Sequence, residues 1–256
     1  MRSINASTLK VKENRSVNND LWDKHADWWV EGFTNGVDPE YEEQIIPLAL
    51  EELAGRDHVL DVGCGEGQIA RALASQGSHV LGVDPTQKHI DIAISRGGGP
   101  VYQLGDATHL PVDDESQDAV VACLVFEHID EVDKAINEVA RVLKPGGQFS
   151  FFLNHPLLQT PGSGWIDDFI LDPPEQYWRI GPYLVETESI EEVEKDVFIR
   201  FIHRPLSRYV NALLAAGLSL ERMLEPSPPP GFIARAPEYA LAHTIPRLLY
   251  LRAVKH

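Results

Sequence analysis

Cysteine is nearly absent: Cys64 and Cys123 are the two in 256 residues, too few for a disulfide framework. Basic residues are scarce as well. Lys plus Arg number 22 against 39 Asp plus Glu, a net charge of −17, which argues against nucleic acid as a partner because a phosphate backbone is gripped through Lys and Arg. No apolar run approaches the ~18 residues of a membrane-spanning helix, and no secretory signal pattern is present. A soluble, cytoplasmic protein with no membrane partner is therefore expected. Internal repeats are also lacking. The acid clusters at 113–115 and 186–196 read as solvated faces, and polar residues 1–20 as a flexible tail. Against these absences stand 43% hydrophobic residues in a chain long enough for one α/β domain with an insertion.

The most informative stretch is VLDVGCGEGQIA, residues 59–70. An apolar run ends in Asp61, glycines follow at alternate positions (Gly63, Gly65, Gly67), and a helix-like segment opens. This is the pattern of a buried strand, a turn too tight for side chains, and a helix N-terminus facing a ligand. A dinucleotide loop, G-x-G-x-x-G, would place its third glycine at position 68, where Gln68 stands. Further apolar strands follow at 79–83, 100–104, 118–124 and 148–153. The first of these ends in Asp84-Pro85 and the second runs into Gly105-Asp106-Ala107. In an open parallel sheet the ligand lies outside the C-terminal strand ends, so Asp84 and Asp106 are aimed at one crevice.

Over residues 40–155 these ordered motifs resemble the class I S-adenosylmethionine-dependent methyltransferases of the small-molecule branch. The resemblance implies a doubly wound, Rossmann-like α/β fold: seven strands in the order 3-2-1-4-5-7-6, the last hairpin antiparallel, helices on both faces and an inserted hairpin. It implies S-adenosylmethionine as cofactor and a role for each matching residue. Gly63, Cys64 and Gly65, with Gly67 completing the loop, would lie against the methionine moiety. Asp61 would hold the loop and a water near the amino group. Asp84, followed by Pro85, would accept the ribose hydroxyls; Asp106 and the Ala107 N–H would meet the adenine. The Cys123–Leu124 backbone would meet the ammonium.

Along the rest of the chain, residues 21–55 read as N-terminal cap helices. Trp22, Ala26, Trp29 and Phe33 recur at helical spacing, which reads as core packing; the resemblance implies instead a lid over the cofactor, with His25, Trp28 and Trp29 as lid candidates. Pro47 should split the next helix. Thr86 and Asp130 are candidate N-caps of two later helices. Residues 155–205 read as a substrate-side insertion, with Trp165, Tyr177, Trp178, Tyr183 and His203 as candidate substrate contacts and an added hairpin from 183–188 and 196–203. The Pro-rich run 226–231 reads as a stiff connection that rims the pocket. Residues 21–256 are thus expected to be one domain, monomeric or homodimeric.

Methyl transfer needs alignment and exclusion of water more than covalent help. A base is needed only for an acceptor that arrives protonated. His155, just past the fifth strand, is the first candidate and His128, past the fourth, the second; no metal is called for. The alternatives are a nicotinamide-dependent oxidoreductase, which lacks its third glycine and leaves Asp106 without a role, and a non-catalytic S-adenosylmethionine-binding module, which needs no acceptor pocket.

Overall fold

The computed structural model describes residues 21–235, 237 and 241–256; the expected tail over 1–20 lies outside the described residues. Residues 21–33 form helix α1. A π-helical turn, Tyr41–Ile45, leads into α2 (Ile46–Glu52), which carries Pro47 in its first turn. The proline lacks an N–H and so is tolerated where a new helical segment begins. Strands and helices then alternate: β1 (His58–Val62), α3 (Gln68–Ser75), β2 (His79–Asp84), α4 (Gln87–Arg96), β3 (Val101–Leu104), β4 (Gln117–Cys123), α5 (Val132–Val142) and β5 (Leu143–Asn154). Next come two hairpins, β6 (Gly164–Asp168) with β7 (Glu175–Arg179) and β8 (Thr187–Glu194) with β9 (Val197–His203). The chain closes with α6 (Leu206–Ala215), β10 (Leu218–Leu224), the short α7 (Pro230–Arg235) and β11 (Leu248–Lys255).

The main sheet runs β10-β11-β5-β4-β1-β2-β3. Strands β1 to β5 are parallel, while β11 is antiparallel to both β5 and β10. This is the expected order, with β11 and β10 as the reversed hairpin. The pleat sends alternate residues to opposite faces. On β5, Phe149, Phe151 and Leu153 join Leu60, Val120, the α5 stripe (Val132, Ile136, Val139) and Tyr209 of α6 in one core. Phe152, one residue out of phase, joins Val59, Val121, Ile45 and Leu53 of the first helices, and Leu73 of α3, in the other. The central strands are covered on both sides, which is why they read as unbroken apolar runs.

Four local expectations need correction. β5 begins at Leu143, not 148, because Leu143 already pairs with Gln117 of β4, and Lys144–Gly147 form an irregularity before the register resumes at Gln148. Asp130 does not cap α5: Glu131 holds the N-cap position, and Arg200 engages the Asp130 carboxylate. Thr86 sits at the N-cap of α4 without a side-chain capping bond; its own N–H is taken by Asp84 Oδ1 at 2.8 Å. The added hairpin spans 187–203, and a second one, β6–β7, precedes it.

The fully buried Phe151 stacks on Phe149 at 4.7 Å and meets Phe126 and Tyr209 edge-on. Phe151→Ala is expected to cost about 3–5 kcal/mol, measured by urea unfolding; a loss under about 1 kcal/mol would show that this aromatic cluster does not anchor the α5–α6 layer.

Candidate active site

The chain after β1 makes a turn that only glycine tolerates. Gly63, Gly65 and Gly67 all have left-handed φ values, +73°, +52° and +87°. A Cβ at Gly63 would run into Val125, and one at Gly67 into the Tyr102 ring. The end of β2 fixes this turn: the Val83 carbonyl accepts from the N–H groups of Gly63 (2.7 Å) and Cys64 (3.1 Å), and Asp84 Oδ2 accepts from Gly65 N–H at 2.9 Å. Asp84 is buried with both oxygens engaged by backbone donors, yet each carboxylate oxygen keeps a second lone pair for a ligand hydroxyl.

A cleft of about 790 Å³ opens above this turn, lined by Asp61, Gly63, Cys64, Gly65, Asp84, Pro85, Cys123, Leu124, Trp29 and their neighbours. A second cleft of about 540 Å³ shares Gly63, Pro85, Val125, His128 and Ile129 with it and adds Asp106 and Ala107. Of the expected cofactor residues, the structure brings eleven to these two clefts. Gly67 and His25 are not among the lining. Gly67 instead starts α3, and the His25 ring accepts a 3.5 Å bond from Phe198 N–H on β9.

Several polar atoms in the first cleft are buried without a partner: Asp61 Oδ2, Glu66 Oε1 and His89 Nε2. Such groups in a native interior ask for a ligand or water. Burial, and then the neighbouring Asp84 charge, push the Asp61 carboxyl up to about 7. An ammonium beside it would relieve both effects. Leu124, at the tip of β4, has φ +56°, a strained conformation for a non-glycine residue and of the kind that gathers at binding sites.

Helix α1 roofs the site. Trp22 stands edge-on to Trp29 at 5.7 Å and to His128 at 5.2 Å, and both Trp22 and Trp29 line the cleft. The roof is tied down by Trp28 Nε1 donating to Glu194 of β8 at 2.6 Å and by a Lys88–Asp27 ion pair, also at 2.6 Å.

His128 lies in a 3₁₀ turn, Phe126–His128, and faces both clefts. Its Nδ1 is 2.7 Å from the Arg200 carbonyl oxygen. A carbonyl can only accept, so Nδ1 carries the proton, and in the neutral ring Nε2 is the acceptor nitrogen. Burial pushes its pKa down to about 4 against the smaller opposing effect of that bond. The Arg200 side chain is buried between Glu188 (2.7 Å) and Asp130, and Arg204 donates to the carbonyls of Phe126, Ile129 and Asp130. The loop bearing His128 is thus pinned from β9 and the residue after it.

The remaining candidates lie elsewhere. His155 does not line either cleft: its Nδ1 accepts from Leu157 N–H at 3.1 Å, which leaves Nε2 to donate to Glu225 at 2.7 Å, beyond β10. Trp165 and Trp178 pair edge-on at 5.6 Å in a separate cavity of about 460 Å³ with Phe232 and Arg247. Tyr177 is exposed. Tyr183 Oη accepts from Leu206 N–H at the start of α6, and the Tyr183 carbonyl accepts from His203 Nε2 at 2.7 Å. The run 226–231 packs on the first helices, with Gly231 N–H on Glu43 at 3.0 Å, and does not rim the clefts. Sequence reading had no role for Tyr41, Glu66 or His89, and left the stripe that holds Trp22 open between packing and lid. For His89 a signal existed, since it lies just inside the helix that follows Asp84.

Residues 60–151 match a family described as a methyltransferase domain. An uncharacterized methyltransferase of Mycobacterium tuberculosis is 37% identical over 128 residues, 50% of each chain. A ubiquinone biosynthesis O-methyltransferase of Coxiella burnetii is 34% identical over 136 residues, 49% of this chain and 56% of that one. The chain spans about half the length of these curated relatives. An S-adenosylmethionine-dependent methyltransferase structure from Mesorhizobium loti aligns over 82% of this chain and 96% of its own, with 28% identity and a TM-score of 0.69.

A ligand ammonium held beside Asp61 should make binding pH-dependent. Its raised pKa leaves it part-protonated near neutrality in the free protein, while a bound ammonium favours the carboxylate. S-adenosylhomocysteine binding at about pH 7 should then release roughly half a proton, and affinity should weaken as pH falls below ~7. Calorimetry in buffers of different ionisation enthalpy reads the release, which Asp61→Asn should abolish. Equal proton release by that variant would assign it to another group.

Proposed function

We propose that this protein, which carries a class I S-adenosylmethionine-dependent methyltransferase domain, methylates a small-molecule acceptor. The observation that carries the reading is the convergence of the Gly63–Gly65 turn and two strand-end carboxylates, Asp84 and Asp106, on adjoining clefts. The unpartnered buried atoms of Asp61, Glu66 and His89 lie in the same place. Position 68 supports this over a nicotinamide site: its side-chain amide donates to the Phe33 carbonyl at 3.4 Å, where a dinucleotide loop needs a bare backbone. The net charge of −17 favours a small acceptor over nucleic acid.

S-adenosylmethionine supplies an electrophilic methyl carbon on a sulfonium, open to in-line displacement by an acceptor lone pair. The chain's own work is to bind, align and keep dry. Asp84 would hold the ribose hydroxyls and Asp106 the adenine, with the Ala107 backbone beside it; Asp61 would face the ammonium. The glycine turn lets the backbone close on the ligand without a Cβ in between. Residues 21–55 act as the cap, since α1 brings Trp22 and Trp29 over the cleft and so excludes water. The wall of residues 155–205 contributes through Arg200, which fixes His128. In this reading His128 orients the acceptor through a neutral imidazole, and is too weak a base near pH 7 to remove a proton fully.

Three measurements test this. Asp84→Ala should lose charged-acceptor bonds worth about 1.5–3 kcal/mol each and weaken S-adenosylmethionine binding accordingly; unchanged affinity would remove Asp84 from the site. His128→Ala should reduce labelled-methyl turnover by about tenfold or more while cofactor affinity stays within a few-fold. The wild-type rate profile should show no limb near pH ~6.5 from this histidine, because its folded-state pKa lies far below that of a free imidazole. A limb near 6.5 that vanishes in His128→Ala would make it the general base instead.

A further inference from the structure

The two adjoining clefts carry six carboxylates in their walls: Asp61, Glu66, Asp84, Asp106, Asp130 and Glu131. Among the described residues, neither lining contains a lysine or an arginine. The guanidiniums of Arg71 and Arg96 are bonded to Glu66, and that of Arg200 to Asp130. His89 Nδ1 lies 3.7 Å from Asp84, and the His128 ring is neutral at working pH. The facing wall is aromatic, built from Trp22, Trp29 and Tyr41.

We infer that the acceptor carries no anionic group: the site takes an uncharged hydroxyl or amino compound with an apolar ring body and rejects its carboxylated or phosphorylated analogues. This rests on the methyl-transfer reading above. An anion entering the cleft loses hydration that only a cation or several hydrogen-bond donors could replace. The wall offers no cation, and its six carboxylates outnumber the three arginines that engage two of them, which leaves negative charge in excess. The sulfonium attracts the attacking atom itself but gives no counter-ion to a second anionic group elsewhere on the ring, since that group must lie away from the methyl face. An uncharged ring gives up little on leaving water and gains contact area against Trp22 and Trp29.

The test uses the full chain saturated with S-adenosylhomocysteine at about pH 7, where a benzoate is ionised and a phenol is not. p-Cresol is compared with 4-hydroxybenzoate, and 4-methylcatechol with 3,4-dihydroxybenzoate, by calorimetry and by quenching of tryptophan fluorescence. In each pair the uncharged member should bind at least about tenfold tighter, the step that 1.4 kcal/mol makes. Equal affinity, tighter binding of the carboxylate, or binding of neither member at ~1 mM overturns the inference. Failure to bind S-adenosylhomocysteine overturns the methyl-transfer reading instead. Glu131→Lys should narrow the preference several-fold, read at saturating S-adenosylhomocysteine. Should that variant not fold, Glu131→Gln must shift the preference in the same direction by a smaller factor. An unchanged ratio in a folded variant shows that wall charge does not set the selectivity.

Discussion

The site hangs on the seam between β1 and β2. One carbonyl, that of Val83, accepts two successive N–H groups of the glycine turn, and the next residue, Asp84, accepts a third through its side chain. These bonds fix the turn in a conformation open only to glycine, and they also aim Asp84 at the cleft. If the end of β2 moved, the loop, the carboxylate and the start of α4 would move together, since Asp84 also holds the Thr86 N–H. Parallel pairing from β1 to β2 is therefore a condition for binding as well as for the core.

Around that seam the charges are arranged unequally. Glu66, in the turn itself, is buried but compensated by Arg71 and Arg96. Asp61, five residues earlier near the end of β1, has no basic partner among the described residues, and burial raises its pKa to about 7. A buried, uncompensated carboxyl is costly in a free protein. It is tolerable where a ligand's positive charge is to be held, and the raised pKa keeps the cost down by letting the group take up a proton.

Much of this was legible in the sequence. Buried parallel strands leave unbroken apolar runs, and Asp61, Asp84 and Asp106 lie at or just past the ends of three of them, so the crevice followed from position along the chain, while the sheet order came from the family resemblance. The direction of side chains was not legible. Topology puts both His128 and His155 past strand ends, but partners about 70 residues away decide where each ring turns: the Arg200 carbonyl for one, Glu225 for the other. The stripe of Trp22 and Trp29 has the same spacing whether it faces a core or a cleft. The β6–β7 hairpin escaped because its residues are half-exposed and its turn holds Pro173 and Pro174, which leaves neither clean alternation nor a short turn signal. Asp130 reads as a helix cap locally, and only the fold brings Arg200 to it.

The bond from His128 to the Arg200 carbonyl has a consequence for how the molecule is made. Its partners are 72 residues apart, and the tie from α1 to β8 spans 166. Closing such spans costs entropy that grows with their length, and the residues nearer the N-terminus are synthesised first. A growing chain can therefore complete β1 to β4 and the glycine turn while the imidazole still lacks the carbonyl that orients it. The pairing of β1 with β2 that carries the glycine turn joins residues 21 apart, as Val62 with Val83, whereas the imidazole gains its carbonyl only when the later hairpin is in place. Assembly order thus separates two halves of one cleft that the finished structure shows as a single surface.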